Sequence, residues 1–255
     1  MKFSIITVCK NSEKTIEKSI LSVINQSYQD FEYIIIDGVS TDNTLKIIEK
    51  YRNNITKVVS EEDNGLYDAM NKGIRIASGE YLFFLNSDDQ LLHENILELV
   101  ANFADTDGND SYELLYGDLL VLNKKTGRLS IQKHNKFNKI YLMKNTPCQP
   151  ATFYKKETFE KYGYFDTDYK IVSDHEWFLR VFLKHSIKAK HLGFPVNIFN
   201  MGGISTNSSR EEKIIAERND MFGKYFTKFE RIFYEFFSRY LRTITTFPII
   251  CRFFN

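Results

Sequence analysis

The first hundred residues alternate short apolar runs with amphipathic stretches, and this alternation limits the possible fold more than any other feature. Four runs rich in β-branched and aromatic residues have the length of buried strands: Phe3–Val8, Tyr33–Ile36, Ile55–Val59 and Tyr81–Leu85. In the stretches between them, apolar residues recur every three or four positions, as on the buried face of a helix. Repeated strand–helix units predict an α/β fold built on a mostly parallel sheet.

The start and end of each amphipathic stretch can also be predicted. Ser12 and Ser173 are each placed to cap a helix, because a serine hydroxyl can accept a free N–H of the first turn. Helices are expected over Ser12–Ile24, after Asn43, and over Gly65–Ile76, Glu94–Phe103 and Ser173–His185. The sequence also predicts a hairpin formed by Glu113–Val121 and Arg128–Gln132.

Aromatic residues dominate the chain after about residue 210. Steps of four and three residues place them on one helical stripe with basic flanks: Phe222, Phe226, Phe229, Phe233, Phe236 and Tyr240. We therefore expect a main domain over residues 1–206 and a C-terminal amphipathic helical extension over residues 207–255. The stripe suits an anionic membrane interface, but packing on the main domain or on a second subunit of a homo-oligomer remains an alternative.

Composition excludes several classes of protein. The 34 basic and 33 acidic residues leave a net charge of +1, which lacks the basic excess of a dedicated nucleic-acid binder. The three cysteines are widely spaced and fit the reduced thiols of a cytosolic protein. No segment approaches the roughly 20 apolar residues that span a bilayer. We expect a cytoplasmic protein, either soluble or peripheral on the inner face of the plasma membrane.

Acidic and amide residues follow the predicted strands, where ligands bind in open α/β sheets. Asn86-Ser87-Asp88-Asp89 follows the fourth strand. Divalent cations such as Mg²⁺ or Mn²⁺ prefer oxygen ligands and can bridge carboxylates to a diphosphate. Asp88 is the candidate carboxylate, with Asn86 or Asp89 in support. The alternative is an ordinary turn, which these residue types also favour.

Three further residues near the strand ends allow two interpretations each. Asp37 could accept a hydrogen bond from a nucleobase or ribose, or it could start the turn after its strand. Asp68 and Lys72 are four residues apart on a helix, which suits a surface ion pair. Alternatively, Lys72 and the helix N-terminus face a diphosphate.

Asp174 forms a second candidate site far downstream. In the first turn of its helix a carboxylate is favoured by the helix dipole, and that alone explains an aspartate there. A carboxylate there could also serve as a general base that removes the proton of a substrate hydroxyl. Trp177, the only tryptophan, is more simply explained as a core residue than as a lining of the acceptor pocket, and His175 as a surface residue.

Taken together, these segments resemble family 2 glycosyltransferases, and within them the bacterial subset that builds O-antigen, capsule and colanic-acid-like polysaccharides. The resemblance covers residues 1–206 and rests on Ser4–Val8 with Asn11, Tyr33–Thr44, Ser60–Gly73, Gly79–Asp89, Cys148–Phe153, Tyr162–Asp166, Ser173–Asp174 and Gly202–Ser205.

Such resemblance implies a GT-A fold, a divalent metal (Mn²⁺ or Mg²⁺) and inverting transfer from a nucleotide-diphosphate sugar, with UDP as the expected nucleotide. It makes Asp174 the catalytic base and Asp88, with Asp89, the metal site. The expected nucleotide-sugar-binding residues are Thr7, Val8, Asn11, Asp37, Asp68, Lys72, Asn86 and Ser87. Two departures from the family pattern are Asn86 at the first position of the DxD motif and Ser173 where many members carry Glu.

The resemblance also implies a lipid-linked saccharide acceptor at the inner membrane surface. Two other functions are weighed beside it: a nucleotidyltransferase, and a catalytically silent sugar-nucleotide binder or scaffold. Thr7–Ser12 contains no glycine, unlike the glycine-rich loop of nucleotidyltransferases. No GxGxxG follows the first strand, which argues against a dinucleotide-dependent oxidoreductase.

Overall fold

The computed structural model describes residues 1–105, 112–123, 126–133, 139–145, 149–185, 187–200 and 211–233. Its strands are β1 (Phe3–Cys9), β2 (Phe31–Asp37), β3 (Lys57–Ser60), β4 (Tyr81–Phe84), β5 (Gln90–Leu91), β6 (Leu114–Asn123), β7 (Arg128–Gln132), β8 (Thr152–Lys155) and β9 (Ala189–Asn200). Its helices are α1 (Ile16–Ile24), α2 (Thr44–Lys50), α3 (Leu66–Ile76), α4 (Ile96–Asp105), α5 (Lys139–Lys144), α6 (Glu157–Tyr162), α7 (Ser173–Lys184) and α8 (Glu211–Tyr225).

The strands form one mixed sheet in the order β3-β2-β1-β4-β8-β6-β9-β5, with β7 paired to β6. The part of the sheet built from β1 to β4 is parallel, as predicted: β2 pairs with β1 and β3, and β1 pairs with β4. The strand β8 runs antiparallel to both β4 and β6. The predicted hairpin is confirmed as the antiparallel pair β6 and β7.

The two faces of the sheet carry two separate cores, because side chains alternate along each strand. One core joins Ile6, Ile36 and Phe84 to α3, α6 and α7. The other joins Ile5 and Phe83 to α1 and α4. Full burial of each such side chain contributes roughly 1.5–3 kcal/mol, so both layers of helices are fixed on the sheet.

The helix α3 lies very close to β1. A Cβ atom built on Gly73 would meet the Cγ2 methyl of Ile6 at 2.6 Å. Only glycine fits this contact without displacing a buried side chain. The contact brings the start of α3 to the carboxyl ends of the parallel strands.

The two predicted serine caps are wrong. The helix α1 begins at Ile16 after Thr15, and the Ser12 hydroxyl bonds instead to Ser87. Ser173 is the first residue of α7 rather than its cap, which is Val172. In both cases a tertiary contact or a shift of the helix start overrides the local preference of serine. Asp174 nevertheless lies in the first turn, as expected.

The predicted single aromatic stripe is also wrong, because α8 ends at Tyr225 and a separate helical segment occupies residues 228–233. The hydroxyl and N–H of Thr227 contact the Glu230 carboxylate at 3.0 and 2.8 Å, and the Glu230 N–H donates to the Thr227 hydroxyl at 3.2 Å. This reciprocal capping box starts a new helix. Phe236 and Tyr240 lie outside the described residues.

The break divides the aromatic residues into two groups. Phe226 is buried and Phe222 packs against the core, whereas Phe229 and Phe233 are 77% and 58% exposed. The first group confirms packing on the main domain. Within the described part of the chain, every helix is too short or too polar to cross a membrane.

Candidate active site

The carboxyl ends of β1, β2 and β4 meet at one edge of the sheet, where polar residues are concentrated. Asp37 ends β2 and is fully buried. It accepts the N–H and hydroxyl of Ser40 at 3.0 and 2.5 Å, and the Ser60 hydroxyl at 2.7 Å. These contacts confirm its role in the turn after β2. They also place its carboxylate beneath the edge, and its contact with a nucleotide stays a prediction.

Asn11 and its neighbours form the loop after β1. Asn11 has φ 52°, a left-handed backbone that asparagine adopts more readily than most residues. Its side-chain oxygen accepts the Thr41 N–H at 2.8 Å. The Thr7 hydroxyl bonds to Tyr33 in the interior at 3.1 Å, and Val8 is buried. A nucleotide would therefore meet Thr7 and Val8 through their backbone.

Asn86–Asp89 forms a turn at the end of β4, closed by the Asp89 N–H to the Asn86 carbonyl at 3.0 Å. Asp89 is fully buried, and its two carboxylate oxygens accept the Asn86 amide and the Asn200 N–H, each at 2.9 Å. The Asn200 amide also donates to the Asp88 carbonyl. Asn200, at the end of β9, thus fixes the turn through both its side chain and its backbone N–H.

This arrangement separates the two candidate metal ligands. Asp89 is buried with both oxygens bonded to protein donors, so it fits a structural role better than a ligand role. Asp88 is half-buried at the tip of the turn. No group of three or more His, Cys, Asp or Glu side chains is arranged for a metal in the described ranges. A cation there would be held by the one carboxylate of Asp88, the side-chain oxygen of Asn86 and phosphate oxygens, a set of ligands that Mg²⁺ accepts.

The remaining residues predicted to bind the nucleotide sugar are Ser87, Asp68 and Lys72. The Ser87 hydroxyl lies 2.9 Å from that of Ser12, which ties the turn to the loop after β1. The Lys72 ammonium lies 3.1 Å from Glu61 and 3.8 Å from Asp68, and Asp68 accepts the Asn64 N–H at 2.9 Å. The ion pair is confirmed, and the alternative contact of Lys72 with a diphosphate stays a prediction.

Asp174 lies beside the start of α3, although 107 residues separate it from Tyr67. The Tyr67 hydroxyl is 2.8 Å from both Asp174 Oδ1 and the Ile171 carbonyl, so one proton serves two acceptors. Lys170 reinforces the contact by donating to the Asn64 carbonyl at 3.0 Å. These bonds bring the candidate base to the edge that carries the other predicted residues.

The surroundings of Asp174 adjust its acidity in opposite directions. Burial raises the pKa of its carboxyl above the ordinary value, while the hydrogen bond from Tyr67 and the positive charge of Arg218 lower it. Burial also raises the pKa of the Tyr67 hydroxyl well above its usual range, so Tyr67 remains a proton donor. A half-buried carboxylate with a raised pKa is a better proton acceptor than a fully solvated one.

The two aromatic neighbours of Asp174 are structural. Trp177 is fully buried against Tyr154 and Phe159, and its N–H donates to the Gly163 carbonyl at 2.8 Å. The core interpretation of Trp177 is therefore confirmed. The surface expectation for His175 is wrong: its ring is buried, contacts the Leu142 carbonyl at 2.6 Å, and burial lowers its pKa to about 4.

Sequence reasoning missed two residues that support the site. Tyr67 lies on the buried, periodic face of α3, so only its apolar packing could be inferred from the pattern. Asn200 lies 111 residues from Asp89 and carries no local signal. Gly202–Ser205 and Cys148, which belong to the resemblance, lie outside the described residues.

A family model described as Glycosyl transferase family 2 matches residues 4–183. This chain belongs to the family 2 glycosyltransferases. The prediction that the chain is a glycosyltransferase is therefore confirmed.

Solved structures agree on the fold. TarS 1–349 from Staphylococcus aureus in complex with UDP-GlcNAc matches with a TM-score of 0.67 at 25% identity, over 82% of this chain and 61% of that chain. The mannosyltransferase PcManGT from Pyrobaculum calidifontis, with GDP-Man and Mn²⁺, matches with a TM-score of 0.59 at 19% identity, over 83% and 60%. This chain thus spans about three fifths of each solved protein. The predicted GT-A fold with a helical C-terminal region is confirmed.

Among curated relatives, a PGL/p-HBAD biosynthesis glycosyltransferase of Mycobacterium bovis is 29% identical over 210 residues, 80% of this chain and 78% of the relative. The poly(ribitol-phosphate) β-N-acetylglucosaminyltransferase TarS of Staphylococcus aureus is 36% identical over 115 residues, which cover 43% of this chain and 20% of TarS.

The different environments of Asp88 and Asp89 predict different effects of substitution. Asp89→Ala leaves the Asn200 N–H and the Asn86 amide without their acceptor, so the free energy of unfolding should fall by about 1–3 kcal/mol. Asp88→Ala should cost less stability. Urea unfolding followed by circular dichroism measures both. An Asp88→Ala loss equal to or larger than that of Asp89→Ala would contradict the assignment.

Proposed function

We propose that this glycosyltransferase transfers a sugar from a UDP-sugar to a saccharide acceptor in the synthesis of a bacterial surface polysaccharide such as O-antigen or capsule, with inversion at the anomeric carbon. The position of Asp174 carries the proposal. Its carboxylate is held by Tyr67 at the start of α3, beside the edge of the sheet where the strands end. A base at this position can act on an acceptor hydroxyl while the diphosphate leaves on the other side.

In the proposed reaction, Asp174 removes the proton from the acceptor hydroxyl as its oxygen attacks the anomeric carbon. The bond between that carbon and the diphosphate breaks in the same step, and UDP leaves. No covalent intermediate forms, so the reaction needs no nucleophilic Ser, Cys or Lys. General base catalysis of this kind typically contributes 10²- to 10⁴-fold.

The residues around Asp88 would hold a divalent cation, Mn²⁺ or Mg²⁺. When bound, such an ion neutralises the charge that builds on the leaving diphosphate. The Asn86–Asp89 turn is fixed by Asn200 through both the Asp89 carboxylate and the Asp88 carbonyl. Asp88 is thus presented from a rigid turn, which favours accurate placement of the diphosphate.

The relatives support the donor and acceptor classes. TarS is a poly(ribitol-phosphate) β-N-acetylglucosaminyltransferase, and one of its solved structures contains UDP-GlcNAc. The mycobacterial relative is assigned to PGL/p-HBAD biosynthesis. From the TarS complex we take UDP as the nucleotide of this chain, and from the sequence resemblance we take a lipid-linked saccharide as its acceptor.

We further propose that the segment at residues 228–233 contacts an anionic membrane surface that carries the acceptor. Phe229, Ile232 and Phe233 are each more than half exposed. Lys228 and Arg231 line a cavity of about 440 Å³ beside Ile232 and the buried Phe226. Exposed aromatic residues flanked by cations suit the interface of an anionic bilayer. Contact with a second subunit is the alternative.

A donor panel tests the reaction directly. The full chain is incubated with UDP-N-acetylglucosamine, UDP-glucose, UDP-galactose or GDP-mannose, with Mn²⁺, Mg²⁺ or EDTA, and nucleotide release is measured. We expect turnover with a UDP-sugar and a metal, and a loss of roughly 10²-fold or more in Asp174→Asn and Asp88→Ala.

Several outcomes of the panel would reject this scheme. Turnover that persists in EDTA would refute the dependence on a metal. A product with retained anomeric configuration, determined by NMR, would refute the inverting mechanism. Near wild-type turnover in Asp174→Asn would refute Asp174 as its base. No turnover with any donor would favour the silent binder.

The pH profile of turnover tests the state of Asp174. The base acts when ionised, so activity should fall as the pH drops through the pKa of Asp174. Because burial raises this pKa, the fall should occur at a higher pH than for an ordinary aspartate. Tyr67→Phe removes a hydrogen bond that favours the ionised form, so the acidic limb should move to higher pH.

Tyr162→Phe is the matched control for this experiment. It removes a comparable bond from a buried tyrosine to a carboxylate, from the Tyr162 hydroxyl to Glu113 at 2.7 Å, away from the site. The acidic limb should not move in this variant. An unchanged limb in Tyr67→Phe would argue against Asp174 as the titrating base.

Vesicle binding tests the membrane surface. The Phe229→Ser, Phe233→Ser double variant should bind vesicles of phosphatidylethanolamine and phosphatidylglycerol less than the wild type in co-sedimentation. The control is Leu129→Ser, Ile131→Ser, which removes two side chains of β7 that are 54% and 55% exposed. Equal binding by all three proteins would refute the membrane contact, and a change in oligomeric state of the first variant would favour the subunit contact.

A further inference from the structure

The helix α8 lies beyond residues 4–183, which the family model matches, yet it contacts the segment that leads into α7. Glu217 of α8 accepts three backbone N–H groups from this segment. Its carboxylate oxygens lie 3.1 Å from the Lys170 nitrogen, 2.8 Å from that of Ile171 and 3.3 Å from that of Val172. One side chain therefore binds three consecutive peptide groups immediately before the helix that carries Asp174.

The rest of α8 strengthens the same contact. Asp220 accepts the Tyr169 hydroxyl at 2.6 Å, and the Lys224 ammonium lies 4.6 Å from the centre of the Tyr169 ring. Tyr225 donates to Glu176 in the first turn of α7. Met221 is fully buried. The segment at residues 169–172 is thus held by α8 through both its backbone and a side chain.

The sequence of α8 explains why this face meets α7. Ile214, Glu217, Met221 and Tyr225 recur at steps of three and four residues, so they share one face of the helix. Burial of Met221 against the core then fixes the rotation of the helix. Glu217, one turn before Met221, is directed at the peptide groups of residues 170–172.

We propose that Glu217 is a positioning residue for Asp174, and that the C-terminal helix α8 thereby completes the catalytic site. This inference rests on the proposed role of Asp174 as the base. Val172 is the residue that caps α7, and Asp174 is two residues further along. The three hydrogen bonds to a charged acceptor fix where α7 starts, and hence where the Asp174 carboxylate lies.

Glu217 therefore acts on the chemical step rather than on donor binding. The predicted nucleotide residues Thr7, Asn11 and Asp37 lie at the ends of β1 and β2, and α8 contacts the chain around α7 instead. A displacement of about 1 Å in a catalytic group can reduce the rate up to about 10²-fold. Loss of Glu217 should lower kcat while UDP still binds.

The experiment uses the full chain with Glu217→Ala and Glu217→Asp, and UDP-N-acetylglucosamine as the first donor probe, or the fastest donor of the panel. We expect kcat to fall by about 10- to 100-fold in Glu217→Ala, with partial rescue in Glu217→Asp. The Kd of UDP, measured by calorimetry, should stay within about twofold of the wild type, because positioning affects the reaction rather than donor binding. Glu212→Gln, an exposed glutamate in the first turn of the same helix, should leave kcat unchanged.

A double variant separates positioning from general loss of structure. If Glu217 acts through Asp174, then adding Glu217→Ala to Asp174→Asn should lower the residual kcat only slightly. The effects of two residues that act through the same group are not additive. A further loss of the full 10- to 100-fold in that background would overturn the proposal. So would wild-type kcat in Glu217→Ala, or a fall in kcat matched by an equal weakening of UDP binding.

The same variants distinguish this inference from the proposed function. Near wild-type turnover in Asp174→Asn would reject both Asp174 as the base and the positioning role of Glu217. A strong defect in Asp174→Asn combined with wild-type kcat in Glu217→Ala would reject only the positioning role of Glu217.

Discussion

The hydrogen bond from Tyr67 to Asp174 joins the two parts of the site, and their relative position depends on it. Tyr67 lies in the first turn of α3, which packs closely on β1 through Gly73. Asp174 lies in the first turn of α7, against the opposite half of the sheet. The exchange of hydrogen bonds between Asn71 and the backbone of Phe165, at 2.9 and 3.1 Å, repeats the connection one turn further along. The site is therefore as rigid as the packed helices that carry it.

Five carboxylates in the described part of the chain differ in how far they are buried. Glu32, Asp37 and Asp89 are almost completely buried, and serine hydroxyls, amide groups or backbone N–H groups satisfy them. They hold the backbone in place, because a buried carboxylate is costly unless it is hydrogen-bonded. Asp88 and Asp174 are only half-buried. Partial exposure separates these two candidates for chemistry from the three buried carboxylates.

Much of the fold could be predicted from the sequence because its signals are local. Buried β-branched runs and three- to four-residue periodicity identified β1, β4 and α3 to within one residue at each end, and the central four residues of β2. The caps at Ser12 and Ser173 were wrong because a serine hydroxyl has many partners of similar strength, and tertiary contacts choose among them. The roles of Tyr67, Asn200 and Glu217 could not be predicted, since each depends on a partner far away in the chain. The pattern identified the type of residue at the site. It did not show which carboxylates are buried and fully hydrogen-bonded to other groups of the protein.

The bond between Asp89 and Asn200 has a consequence for the order in which the protein acquires its activity. The two residues are 111 positions apart, and β9 is the last strand in the described part of the chain. Closing so long a loop is entropically costly and slow compared with forming local helices. During synthesis, a chain that has emerged only as far as β8 would lack the partner that holds the turn around Asp88. The turn around Asp88, and with it any site built on that turn, would then form late, once the sheet is complete.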